Sequence, residues 1–170
     1  MRASVAWDGG WRGLTPAGGG RTSQAGDHAA DFGRSNTGPV YVADGAFLND
    51  STKNNELAVS FWQKRYDVSD GSAFWFNSTA SNNGNRGFQA HVPWSNANVY
   101  FDTAGCCGAD TQRINAGIDT FPDYTGDATW WQSWHHFVFS KKGDNKQVWI
   151  DGKLFFEGVN TGPLPTDFTD

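Results

Sequence analysis

Two cysteines stand side by side in the stretch FDTAGCCGAD, at Cys106 and Cys107, and the chain of 170 residues contains no others. Neighbouring Cα atoms across a trans peptide lie about 3.8 Å apart, short of the roughly 4.4–6.8 Å usual for disulfides. The pair is therefore open to three readings: two buried thiols, a staple to another chain, or a small vicinal ring displayed on a loop. Around it, the segment from His91 to Arg113 brings Trp94, beside a proline, together with Asn96, Asn98 and Asp102. Sugars present apolar ring faces and hydroxyl edges, so their sites combine an aromatic with fixed polar groups. We expect Trp94 to stack on a sugar face and Asp102 and Arg113 to bond to hydroxyls. His91, Asn96 and Asn98 complete the candidate set, and a ring at Cys106 and Cys107 would stiffen the loop and add an apolar patch. The competing reading of Trp94 is a cap on the core beneath a loop.

Other chemistries find less material. A glycosidase needs two carboxylates flanking the scissile bond, about 5–5.5 Å apart for retention and further for inversion. The chain's glutamates are Glu56 and Glu157, each at the end of an apolar run, and Asp102 stands alone on its strand with no E-x-D-x-E pattern. There is no G-x-S-x-G elbow and no H-E-x-x-H helix. His135 and His136 are adjacent on an expected strand, so they point to opposite faces and cannot act together. A cysteine nucleophile with His91 as its base fits the logic of an activated thiol but has no sequence signature. Asp119, Asp123 and Asp127 in one loop, with Asp67 and Asp70 in another, offer the hard oxygen ligands that calcium takes, yet match no defined calcium loop.

These residues must be positioned by strands. Gly 21, Trp 9 and Phe 13 describe many turns and many flat side chains, which favours an all-β sandwich. The length suits one domain over 1–170 with a sizeable core. A net charge of -5 and pI ≈ 5.2 argue against nucleic acid as partner. No stretch reaches the roughly 20 apolar residues of a membrane span, and MRASVAWDGG shows no apolar core of a signal peptide. The glycine-dense first part, from GGWRGLTPAGGG onwards, reads as loops between short strands. Period-two alternation begins after Val40: ELAVSFWQKR sets Leu57, Val59 and Phe61 against Ala58, Ser60 and Trp62. SAFWFNST, RGFQAHV, NVYFDT and WHHFVFSKK follow as strands. In KQVWIDGKLFFEG, Asp151-Gly152 predicts a two-residue hairpin turn. Trp62, Trp134 and Trp149 lie in such runs and are expected in the core.

ELAVSFWQKR, then HVPW…NVYFDTAGCCGADTQRI, then WWQSWHHFVFSKKGDNKQVWIDGKLFFEG resemble the laminin-G-like branch of the concanavalin A-like lectin/glucanase superfamily over about 31–170. The resemblance implies a jelly roll of two curved antiparallel sheets, a carbohydrate- or protein-binding role, calcium as a candidate cofactor, and a secreted or cell-surface setting. Such domains continue through a closing strand where this chain reads PLPTDFTD, so the sandwich is expected to be truncated, with a sheet edge covered by the N-terminal segment or by a second copy in a homo-oligomer. The functional expectation is a carbohydrate-binding module. A hydrolase on a saccharide, ester or lactone, and an adhesion or protein-interaction domain, are the alternatives.

Overall fold

The computed structural model describes residues 5–6, 13–32, 41–42, 44–68, 70–78 and 86–168. The start of the glycine-dense stretch read as loops between short strands, GGWR at 9–12, lies outside them. The chain divides into two compact units, 1–43 and 44–170. In the first, β1 (Val5–Ala6) pairs with β4 (Tyr41–Val42), and β2 (Gly13–Leu14) pairs with β3 (Ala30–Asp31). A tight turn between the latter is held by Asp27, whose Oδ2 accepts from the Thr22 backbone N–H and hydroxyl, each at 2.5 Å.

The second unit is a β-sandwich of two four-stranded antiparallel sheets. A short helix, α1 (Phe47–Thr52), precedes β5 (Glu56–Gln63), followed by β6 (Phe74–Asn77), β7 (Arg86–His91), β8 (Asn98–Thr103) and β9 (Arg113–Gly117). Two 3-10 turns, Ile118–Thr120 and Ala128–Gln132, lead into β10 (His135–Lys142), β11 (Asn145–Ile150) and β12 (Lys153–Val159). The first sheet runs β12-β11-β10-β5 and the second β6-β7-β8-β9. The expected strands are present. Asp151 and Gly152 both take positive φ, at 51° and 79°, as the two-residue turn requires.

Alternation decides which residues fill the space between the sheets. Phe61, Phe137 and Phe139 of the first sheet meet Phe74, Phe88 and Phe101 of the second. Phe139 lies 5.5 Å from Phe74 and 5.4 Å from Phe101, both edge-on. Phe88, Phe101 and Phe139 are wholly buried. Each such ring contributes roughly 1.5–3 kcal/mol through burial, and this layer is what holds the sheets face to face.

The tryptophans are distributed otherwise than expected. Trp62 is 43% exposed, because it shares a face with Ser60 and Ala58 and the opposite face carries Phe61. Trp149 lies half-buried on the same outer face, and Trp134 falls outside the strands beside Lys64. Among the described residues the core tryptophans are Trp130 and Trp131, in a 3-10 turn. At the chain's end, Phe168 bridges to Ser78 just beyond β6 and exchanges hydrogen bonds with the Asn49 side chain, N to Oδ1 at 2.6 Å and Nδ2 to O at 3.3 Å. Its ring packs so closely on Gly87 that a Cβ there would collide with it.

Candidate functional site

β8 explains the site. Val99 and Phe101 point into the core, so Asn98, Tyr100 and Asp102 must share the outer face. Register sets Gln89 and Arg113 on either side of Asp102, and His91 and Asn115 on either side of Tyr100. Trp75 of β6 joins the row beside Gln89 and is 39% exposed. The outer face of the second sheet is therefore polar and aromatic.

Trp94 is half-buried in the turn between β7 and β8, its ring 4.4 Å from that of His91. The turn closes through Trp94 N–H to Asn98 O at 2.8 Å and Ala97 N–H to Trp94 O at 2.9 Å. It is clamped from β5 and beyond. Gln63 Nε2 donates to Val92 O at 2.9 Å, and Arg65 Nη1 donates to Val92 O and Pro93 O at 2.7 and 2.9 Å. His91 Nδ1 faces Gly71 O at 3.1 Å. A carbonyl only accepts, so Nδ1 carries the proton and Nε2 is left to accept from Gln89 Nε2 at 3.3 Å. Burial holds His91 below the ordinary imidazole range, against the Gly71 carbonyl and Asp102, which raise it.

Asn96 and Asn98 converge on one atom. Their Nδ2 groups donate to Tyr100 Oη at 2.7 and 3.2 Å, and these bonds lower the phenol's pKa. On the other side of the Tyr100 ring lies Arg113, its guanidinium carbon 4.5 Å from the centroid. Arg113 binds Asp102 in fork geometry, Nε to Oδ1 at 2.6 Å and Nη2 to Oδ2 at 2.7 Å. This pairing raises the guanidinium pKa. The Asp102 side chain is wholly buried, which corrects the expectation that it bonds to hydroxyls itself. Its two oxygens serve Arg113, and Arg113 carries the outward donors.

Cys106 and Cys107 are joined in a vicinal disulfide with Cα atoms 3.7 Å apart. Cys106 is buried and accepts from Arg113 Nη2 at 3.3 Å, whereas Cys107 is exposed. Gln112 holds the loop from inside, donating from Nε2 to Ala104 O and accepting at Oε1 from Gly108 N–H, both at 3.1 Å. A loop closed between adjacent residues constrains the unfolded chain very little. Reduction is therefore expected to shift the melting temperature by only a few degrees, and alkylation to add two groups after reduction and none before. Alkylation without reductant would contradict the ring.

His91, Trp94, Asn96, Asn98, Asp102, Cys106, Cys107 and Arg113 thus lie on one face and its flanking loops. Sequence reading missed Tyr100, the residue that joins them, although it sits two positions from Asp102 and period two already placed it there. Trp75 and Gln89 were missed too; Gln89 Oε1 is buried without a hydrogen-bond partner.

Three of the five acids considered for calcium are engaged by side chains or backbone of the chain itself. Asp123 accepts from Lys153 Nζ at 2.6 Å, Asp127 caps a 3-10 turn through Thr129 N–H at 2.8 Å, and Asp70 accepts from Ser95 N–H at 3.1 Å. Among the described residues no three His, Cys, Asp or Glu side chains gather as a metal site. No helix among the described residues is long and apolar enough to cross a membrane.

No family model and no curated protein matches the chain. Matches among solved structures include two botulinum neurotoxin chains. The binding domain of botulinum neurotoxin DC, in complex with rat synaptotagmin II, matches over 76% of this chain and 30% of that one, at 15% identity and TM-score 0.49. Botulinum neurotoxin type C, described as depending on interaction with two ganglioside molecules to enter cells, matches over 98% of this chain and 36% of that one, at 17% identity and TM-score 0.56. The chain thus spans about a third of the length of either.

Proposed function

We propose that the protein is a carbohydrate-binding module and that the outer face of its second sheet, from Trp94 to the Cys106–Cys107 loop, holds the glycan. One observation carries this reading. Trp94, His91, Tyr100, Arg113 and Cys106 form an unbroken chain of contacts, at 4.4, 6.0, 4.5 and 3.3 Å in turn. A half-buried ring at one end and a disulfide at the other bracket a row of polar groups already fixed by their neighbours. Such a surface loses little conformational freedom on binding. Trp94 supplies the apolar platform, the amides of Asn96 and Asn98 meet hydroxyl edges, and Arg113, held by Asp102, donates outward. Cys107 offers its sulfur as the far wall.

The laminin-G-like resemblance and the fold shared with a neurotoxin that interacts with gangliosides both support a glycan as ligand. The vicinal ring suits an oxidising, secreted or surface location. Stacking on a sugar is worth on the order of 1–2 kcal/mol, so Trp94→Ala is expected to weaken glycan binding roughly five- to thirtyfold with little change in melting temperature. A glycan array run with and without calcium, followed by titration of the best ligand into both proteins, checks this. A loss of several kcal/mol of stability in the variant would place Trp94 in the core and move the site elsewhere.

A further inference from the structure

The outer face of the first sheet is also open, and nothing in the reading above uses it. Its cross-strand rows run Trp62 with His136, then Ser60, Val138, Trp149 and Leu154, then Ala58, Ser140, Gln147 and Glu157, then Glu56, Lys142 and Asn145. At one end Trp62, 43% exposed, stacks on His136 with ring centroids 4.9 Å apart and 26° between planes. Ser60 Oγ fixes that imidazole through Nε2 at 2.7 Å. At the other end a groove of about 710 Å³ is lined by Asn54, Glu56, Lys142, Asn145, Gln147 and Glu157, among others. Gln147 Nε2 donates to Glu157 Oε2 at 2.9 Å, and Lys142 lies 3.7 Å from Glu56. The two glutamates of the chain, far apart in sequence, thus line one groove.

We propose that this face is a second saccharide-binding surface, for an extended neutral oligosaccharide. From Trp62 to Glu56 the strand covers about 20 Å at roughly 3.3 Å per residue, room for several sugar rings. An aromatic platform at one end and planar amides and carboxylates at the other supply the stacking and hydroxyl contacts that a sugar chain needs. Charge selects the class. Glu56 and Glu157 outnumber Lys142, so glycans bearing carboxylates or sulfates are repelled and neutral chains are admitted.

The test is NMR titration of the nitrogen-15-labelled full chain with neutral hexasaccharides of glucose, xylose, mannose and N-acetylglucosamine, and with hexagalacturonate as the acidic counterpart. At least one neutral hexasaccharide is expected to shift the Trp62 and Trp149 indole N–H and Gln147 amide signals, while hexagalacturonate leaves them in place. Trp62→Ala should weaken that binding roughly five- to thirtyfold, Gln147→Ala should weaken it as well, and Trp94→Ala should leave it unchanged. The proposal is overturned if no neutral hexasaccharide moves these signals, if the acidic one moves them equally, or if Trp62→Ala binds like the parent. Shifts confined to the Trp94 indole would overturn it while sparing the first site, and the converse pattern would do the opposite. Should Trp62→Ala fail to fold, the titration of the parent chain and of Gln147→Ala still decides.

Discussion

Lys146→Met is expected to remove much of the sandwich's gain in stability as the solution is made alkaline, and to be most destabilising there. Lys146 is wholly buried on β11. Its Nζ donates to Phe101 O and Asn160 Oδ1 at 2.8 Å and to Gln112 O at 2.9 Å. It also sits 4.1 Å from the centroid of the Phe101 ring. Methionine fills nearly the same volume but leaves those acceptors without a donor; above about pH 6 the folded amine is neutral and has two N–H to give, so about two bonds are lost, at about 1–3 kcal/mol each. Relief of the cost of deprotonating the amine on folding, about 1.4 kcal/mol for each unit between the working pH and 10.5, offsets that loss near neutrality and fades towards alkaline pH.

The pH dependence follows from the same burial. Desolvation pulls the amine down to about 6, from 10.5, with Asp102 the main influence raising it. Between those values the unfolded chain binds a proton that the folded chain does not, so stability rises with pH, by up to about 1.4 kcal/mol per unit from this group. Below about 6 both states are protonated and the slope vanishes. Lys141, also buried with its pKa lowered, acts in the same direction. Subtracting urea-unfolding curves of Lys146→Met from those of the parent between about pH 6 and 9 isolates the Lys146 contribution. A difference that stays flat or shrinks with rising pH would show that the three acceptors hold the ammonium charged.

The strands carrying this arrangement were legible because each has a plain alternation. In ELAVSFWQKR the apolar set is Leu57, Val59 and Phe61, and the structure turns that set inward. β9 was not legible: RINAG has a single large apolar side chain, Ile114, and becomes a strand because β8 pairs with it. Trp62 was misread because a large aromatic was given more weight than its place in the alternation. Lys146 could not be found at all. Period two puts it with Val148 and Ile150 on the inner face, but nothing local tells that Asn160 and two distant carbonyls wait there. The candidate loop was legible as a convergence of residue types, yet the pairing inside it was not. A carboxylate eleven residues from an arginine could serve a ligand or that arginine, and only the register of β8 against β9 decides.

That register supports the second large effect. Arg113→Ala is expected to cost about 3–5 kcal/mol, the range for removing one partner of a buried ion pair, or a fall in melting temperature of roughly 6–20 °C for a protein of this size. The asymmetry of the pair is the reason. Arg113 keeps 21% of its side chain exposed and could turn to water alone, whereas Asp102, at 0%, has no such route. Removing the arginine strands a carboxylate between Gln89 and the Cys106–Cys107 loop, beside the backbone that anchors Lys146. If the buried charge causes the loss, neutralising it should help: Arg113→Ala with Asp102→Asn should be more stable than Arg113→Ala alone, by about 1 kcal/mol or more. A destabilisation below about 1 kcal/mol in the single variant, or a double variant no better than the single, would show that Asp102 reaches solvent or a different cation. Glycan binding on this face should fall in both variants alike, because in each the outward donors of Arg113 are gone.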